Sequence, residues 1–260
     1  MSSVTIAELA PFQNEPYVDF TQPKHAASIR AALAKVRSDF GREYPLRIAG
    51  DVRHSTDKLR SVNPSNPAEI VGVHHKGCEK DAIDAVEAAY AYFPKWSAVP
   101  VEERARLVVR LAEVIRERKY EFDSWLVLEA GKTWNEAEAD VSEAIDFCEY
   151  YARLALKLAR PDPLVQLSGE RDEMVYLPLG VGIVIPPWNF PLAILLGMAT
   201  AALVTGNTVV IKPSSDTPTI AAKFAEALLK ADPFTTGGVF TSWVIHHWNP
   251  IFINRDLLPE

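Results

Sequence analysis

Leu179-Gly180-Val181-Gly182-Ile183-Val184-Ile185-Pro186-Pro187-Trp188-Asn189-Phe190-Pro191, an apolar run, then Gly206-Asn207-Thr208-Val209-Val210-Ile211-Lys212-Pro213-Ser214-Ser215-Asp216-Thr217-Pro218 is the stretch that decides the fold. Two short β-branched runs, Gly182 to Ile185 and Thr208 to Ile211, flank a helix-length apolar segment, and the second ends in a lysine and a turn before another helical pattern. This β-α-β-α order predicts a parallel sheet with a crossover helix, whose ligands bind at the carboxyl ends of the strands. Asn189 and Lys212 are the polar groups at those two ends.

Working outward, the 260 residues supply ample core material, with 48% hydrophobic and 23% charged content in the ordinary globular range. A net charge of −7 argues against a nucleic-acid binder. Cys78 and Cys148 lie far apart and form neither a disulfide framework nor a zinc pattern, which points to a reducing, cytoplasmic compartment. The first twenty residues carry Glu8, Glu15 and Asp19 and lack the basic start and apolar run of a secretory signal. No charge falls between Glu173 and Lys212, but Pro186, Pro187 and Pro191 cut that run. The remaining Leu192 to Val204 piece is short for a membrane span and fits a buried core helix.

Taken in order, Pro23 to Arg42 reads as a helix, Leu46 to Gly50 as a strand, and Ser61 to Pro67 as a turn before the strand Ile70 to Val73. Asp81 to Trp96 is helical, and Pro100 opens a further helix whose arginines alternate with glutamates, the mark of a solvated face rather than a nucleic-acid surface. Gly131-Lys132-Thr133 has the tail of a P-loop, but Leu126 stands where the first glycine is required and no strand precedes it. Gly131 instead ends a helix, and Asn135 to Arg160 forms the next. Its acids, Glu136, Glu138, Asp140, Glu143, Asp146 and Glu149, read as a charged solvent face; Asp140 and Glu143, one turn apart, also suit a metal or a carboxylate pair. Leu164 to Leu167 and Met174 to Leu177 alternate as the arms of a hairpin around Ser168 to Asp172.

Val184 to Pro191 together with Gly206 to Pro213 resembles the NAD(P)-dependent aldehyde dehydrogenase superfamily. Glu129-Ala130-Gly131-Lys132-Thr133-Trp134, Glu143 to Tyr151, Phe12 to Pro16 and Phe40 to Leu46 look like the branch that oxidises L-glutamate γ-semialdehyde (Δ1-pyrroline-5-carboxylate) to glutamate in proline catabolism. The resemblance covers about Ala10 to Ala231. It implies an α/β fold, here an incomplete doubly wound parallel sheet with N-terminal helices and a protruding hairpin at about 164–177. By that resemblance Asn189 donates its amide to the oxyanion of the thiohemiacetal, as a neutral donor at a strand end can. Lys212 bonds the adenosine ribose, Ile185, Pro186 and Trp188 wall the nicotinamide side, and Glu143 borders the aldehyde tunnel. The family uses glutamate at the position of Ser215 to exclude a 2′-phosphate, so a serine there implies NAD while leaving room for NADP. No resident metal is implied.

After Ala231 the family's pyrophosphate loop, general-base glutamate and catalytic cysteine, in a separate domain, are absent from this sequence. Residues 232–260 are an atypical tail, of which Asp232 to Thr241 and Ile251 to Arg255 loosely resemble late family segments. His246 and His247 are adjacent and would diverge rather than chelate. Cys78 and Cys148 lie on the wrong elements for a nucleophile, and Cys148 sits among acids that oppose a thiolate. These residues imply a chain that is inactive alone, with an open sheet edge and an uncovered apolar helix face, prone to form homo-oligomers or to associate with a full-length relative. A non-catalytic nucleotide-binding or subunit-interacting protein is the alternative.

Overall fold

A computed structural model describes residues 9–160, 164–231 and 240–242. Helix α1 (Pro23–Ser38) begins on Pro23, whose missing N–H costs nothing in a first turn. Five strands follow: β1 (Glu43–Tyr44), β2 (Leu46–Ile48), β3 (Asp51–Arg53), β4 (Lys58–Asn63) and β5 (Asn66–His75). The helices α2 (Glu79–Ser97), α3 (Val101–Glu117), α4 (Lys119–Ala130) and α5 (Trp134–Leu158) come next. The decisive stretch gives β6 (Val181–Val184), α6 (Ala193–Val204), β7 (Thr208–Ile211) and α7 (Pro218–Ala231), and β8 (Phe240–Ser242) closes the series. The turn foreseen at 61–67 is tighter than expected, because β4 and β5 pair antiparallel from Lys58↔His75 to Asn63↔Asn66.

β1, β5 and β4 make a small sheet, and the larger one runs β3-β2-β8-β7-β6. β6 pairs parallel with β7 in the register Val181↔Thr208 to Val184↔Ile211, the crossover unit read from the sequence. β8 lies parallel to β7 on its other side and antiparallel to β2, so the sheet is mixed rather than wholly parallel. Strand β8 therefore covers the second edge of β7, and the open strand edge expected from the sequence falls at β6. β6 has a strand partner on one side only among the described residues.

Strand β7 is buried on both faces, and its alternation assigns each residue to a layer. Val210 packs with Leu46, Ile48 and the α2 alanines Ala82, Ala85 and Ala89. Val209 and Ile211 face the main core, built from α3 to α7 around Trp125, Phe122, Leu111 and Ile145. One face of the apolar α6 lies inside that core, with Leu195, Leu196, Ala199 and Leu203 all buried, while the opposite face, Ile194, Met198, Ala201 and Ala202, is only partly covered and Met198 is exposed by 42%. The α5–α6 crossing is close enough that a Cβ on Gly197 would meet the Phe147 ring at 2.9 Å.

Two expectations are corrected elsewhere. The arms at 164–177 form a turn, in which Glu170 N donates to Leu167 O (3.1 Å) and the Gln166 side chain bridges to Asp172, but no strand ladder. A two-stranded ribbon that joins no larger sheet has little stability of its own, and here only residues 173–176 border a cleft with α3, α5 and the end of α6. Its apolar residues stay exposed, Val165 by 87% and Leu177 by 77%. The acids of α5 are likewise not a uniform solvent face. Glu138 is 2% exposed and Asp140 0%, each neutralised by a lysine: Lys119 reaches Glu138 at 2.6 Å and Lys132 reaches Asp140 at 2.9 Å. Glu138 also accepts the Val18 N–H (2.9 Å), and Asp146 accepts Glu15 N and the Asn14 amide (2.7 Å each), strapping the N-terminal segment across α5.

No helix among the described residues is long and apolar enough to cross a membrane. His246, His247, residues 232–239 of the first family-like segment and the segment 251–255 lie outside the described residues.

Candidate active site

Parallel pairing brings the carboxyl ends of β6 and β7 side by side, and the Lys212 N–H donates to Val184 O at 2.9 Å. The loop from Ile185 to Leu192 and the turn from Lys212 to Thr217 therefore start from one rim. Asn189 is exposed on the first, and its amide makes no hydrogen bond to any described residue. Ile185 and Trp188 are also exposed, Trp188 by 58%, whereas Pro186 is buried. Lys212 and Ser215 are half-buried.

Burial lowers the pKa of the Lys212 ammonium, which has no hydrogen-bond or ion-pair partner among the described residues; Asp216 opposes the shift from four residues on. A partly desolvated cation without a partner is a donor suited to hydroxyl oxygens, and an exposed amide on the neighbouring strand end is suited to a developing oxyanion. Glu143 projects from α5 with its pKa raised, first by desolvation and then by the Asp140 charge. One turn on, Phe147 stacks on Tyr151 (5.4 Å) and packs against Gly197, which brings this face of α5 to the helix that follows the Asn189 loop.

Both helices of the β-α-β-α unit begin on an internal carboxylate. Glu129 accepts the N–H groups of Thr219 and Ile220 at 2.7 Å each, and the Ser61 hydroxyl at 2.6 Å, at the start of α7. Asp140 accepts the Ala193 N–H at 2.7 Å at the start of α6. Helix N-termini are the usual cradle for a nucleotide phosphate, but these are already occupied by protein anions. The rim thus offers groups for a ribose and an oxyanion and leaves the diphosphate to be held elsewhere.

Sequence reasoning missed Asp140 and Lys132 as parts of this region. Asp140 was read as solvated or metal-binding, yet its two oxygens are taken by Lys132 and Ala193. Among the described residues no group of three His, Cys, Asp or Glu side chains is arranged to hold a metal. Lys132 was singled out only as part of a motif, yet its ammonium lies 3.9 Å from the centroid of Phe190, the neighbour of Asn189. The signal available was the Gly131-Lys132-Thr133 tripeptide. Gly131 (φ +69°) ends α4 in the left-handed region, and Thr133 forms a capping box with Glu136 at the start of α5, leaving Lys132 held between two fixed helix ends. Neither thiol is in the region's reach as a nucleophile. Cys148 is fully buried, with its pKa raised by desolvation and Glu149, and Cys78 caps α2.

The parallel β-α-β unit, with an amide and an ammonium on one rim, is of the α/β class whose ligands bind at strand ends, and residues 52–239 match the aldehyde dehydrogenase family; the chain belongs to that family. It is 50% identical over 221 residues to 1-pyrroline-5-carboxylate dehydrogenase of Geobacillus thermodenitrificans (strain NG80-2), covering 85% of this chain and 43% of that one. The solved structure of 1-pyrroline-5-carboxylate dehydrogenase from Thermus with bound NAD superposes with a TM-score of 0.88 at 43% identity, over 92% of this chain and 46% of that one. The Δ-pyrroline-5-carboxylate dehydrogenase of Mycobacterium tuberculosis superposes with a TM-score of 0.83 at 27% identity, over 95% and 45%. The chain thus spans less than half the length of these relatives.

Proposed function

We propose that this chain is the cofactor-side part of an L-glutamate γ-semialdehyde dehydrogenase, a system that oxidises the aldehyde to glutamate with NAD in proline catabolism. The observation that carries the reading is the pairing of unpartnered Lys212 with unpartnered Asn189 on adjacent parallel strand ends. Similarity to relatives named for this activity, one of them with NAD bound, supports the substrate and the cofactor. NAD, when bound, accepts the hydride. The residues present fit it in part: Lys212 would hold the adenosine ribose, Ile185, Pro186 and Trp188 would wall the nicotinamide, and Ser215 would leave space for either NAD or NADP.

In this scheme Asn189 donates its amide hydrogen to the oxygen of the aldehyde as negative charge develops there, and Glu143 borders the aldehyde's path. A thiolate must attack that carbonyl, and the two thiols in these 260 residues do not serve: one is sealed in the core and the other caps a helix. Nucleotide binding without turnover is therefore the activity proposed for the chain by itself. The compartment is proposed as cytoplasmic, with both cysteines unpaired in support. Self-association, or association with a full-length relative, is proposed through the exposed apolar arms at 164–177.

The test is a titration of the purified chain with NAD, together with an assay for NAD-linked oxidation of pyrroline-5-carboxylate. Saturable binding and no turnover are expected. Turnover lost on substitution of Cys78 would overturn the assignment of chemistry, and absence of nucleotide binding would overturn the assignment of the rim.

A further inference from the structure

We propose that Lys132 and Asp140 are positioning residues that together set the Asn189 loop against the nicotinamide half of the cofactor. The proposal rests on the cofactor reading above and extends it to two residues that touch neither cofactor nor substrate in that reading.

The loop between β6 and α6 has two ends. At the first, Val184 O is fixed by the Lys212 N–H, a backbone bond of the sheet. The second has no such ladder. Ile194 N donates to Phe190 O at 3.1 Å, but Pro191 lacks an N–H, Leu192 offers no capping side chain, and the buried Ala193 N–H would go unsatisfied. Asp140 fills that role from another helix: one oxygen accepts Ala193 N at 2.7 Å, and the other takes the Lys132 ammonium at 2.9 Å. The same ammonium, on a side chain 10% exposed, sits 3.9 Å from the centroid of the exposed Phe190 ring, a cation–π contact at the edge of solvent. One ion pair thus grips residues 190 and 193, the immediate flank of Asn189, while the exposed Asn189 side chain has no hydrogen bond to any described residue.

Both members of the pair are set on rigid supports. Asp140 is 0% exposed on α5, a 25-residue helix packed against α6. Lys132 stands between the left-handed Gly131 and the Thr133 capping box, so its backbone is held on both sides; a Cβ on Gly131 would meet Pro64 at 3.0 Å. A buried ion pair of this kind contributes little net stability, because the cost of desolvating two charges offsets their attraction. Its effect is geometric: it defines where residues 190–193 sit, and so where the amide of Asn189 points.

The test uses the full chain and the variants Lys132→Met, Lys132→Arg and Asp140→Asn, with NAD and AMP as the two probes. AMP reports the Lys212 end of the rim alone, and NAD reports both ends. Loss of the brace is expected to weaken NAD binding about tenfold, because the loop that carries the nicotinamide wall at Ile185, Pro186 and Trp188 is no longer held in place, with AMP affinity unchanged. Lys132→Arg, which keeps the cation, is expected to restore most of the loss. Hydrogen exchange supplies the independent arm: the Leu192 and Ala193 amides should exchange faster in Asp140→Asn and Lys132→Met, while the β7 amides Val209 to Ile211 keep their protection. A uniform loss of protection and of both affinities would mean that the pair only stabilises the fold, and unchanged exchange with an unchanged NAD to AMP ratio would overturn the proposal outright. If the parent chain binds neither probe, the cofactor reading fails, and the exchange arm still decides whether the brace exists.

Discussion

The Glu129 carboxylate and the Thr219 N–H meet at 2.7 Å inside the core, joining the last turn of α4 to the first turn of α7 across 90 residues of sequence. Burial raises the pKa of Glu129, and the bonds from Ser61, Thr219 and Ile220 oppose that shift. Substitution Glu129→Leu leaves these donors unsatisfied and is expected to cost about 2–4 kcal/mol, a few kcal/mol being the usual penalty for orphaned buried groups. Glu129→Gln, which keeps an acceptor, should lose roughly half as much. Urea denaturation of the two variants reads the difference; equal midpoints would remove the capping role.

Asp123 predicts a pH dependence of unusual sign. It is 0% exposed, neither oxygen has a hydrogen-bond partner other than the neighbouring Glu138 carboxyl, and desolvation followed by the Glu138 charge pushes its pKa up to about 9, against the pull of Lys119. The folded state therefore holds a proton that the unfolded chain releases near pH ~4. Stability should fall as pH rises through that window and level off above about 9. Asp123→Asn retains a donor toward Glu138 without the ionisation, so its urea midpoint should be flatter with pH and higher than that of the parent at pH 8. A parent midpoint that rises across this range would contradict the shared-proton arrangement.

Lys212 makes an activity prediction separable from stability. Because its ammonium has no protein partner among the described residues, Lys212→Met should leave Tm unchanged or slightly higher while weakening AMP and NAD about tenfold or more. Ser215→Glu should leave NAD binding in place and exclude NADP. Calorimetric titration of the three nucleotides against both variants distinguishes these outcomes from a general loss of the rim.

Gly197 tests the α5–α6 crossing. An alanine Cβ would lie 2.9 Å from Phe147, and overpacking of this kind costs typically ~1–3 kcal/mol. The double substitution Gly197→Ala with Phe147→Leu should recover part of that loss. A non-additive thermal-melt cycle is the expected result; strict additivity would mean that the two positions do not touch.

The β-α-β-α unit, the long helices and the rim were legible in the sequence because each rests on a local signal: β-branched runs, helical periodicity, and a polar residue at the end of an apolar strand. Asn189 and Lys212 were found that way. The buried acids were not, since polarity alone makes Glu138 and Asp140 look solvated, and their neutralising lysines, Lys119 and Lys132, lie on other elements. The arms at 164–177 misled in the opposite direction. Their alternation is that of a strand, but a strand needs a hydrogen-bonded partner, and none of the described residues pairs with these arms in a ladder. The mixed character of the large sheet was equally hidden, because a three-residue strand in the tail carries too little pattern to reveal its two neighbours.

That short strand, β8, has a kinetic consequence. Among the described residues it is the only strand that links the β2–β3 ribbon to the β6–β7 pair by backbone pairing, so the five-stranded sheet is continuous only once residues 240–242 are in place. Arg47 must find Ser242 across nearly the whole length of the polypeptide, a contact that no growing chain can make early. The helices and the β4–β5 hairpin are local and can form as they emerge, whereas the layer carrying the rim is the last to close. Protection of the Arg47 amide in pulsed hydrogen exchange during refolding should therefore lag behind the recovery of helix measured by circular dichroism.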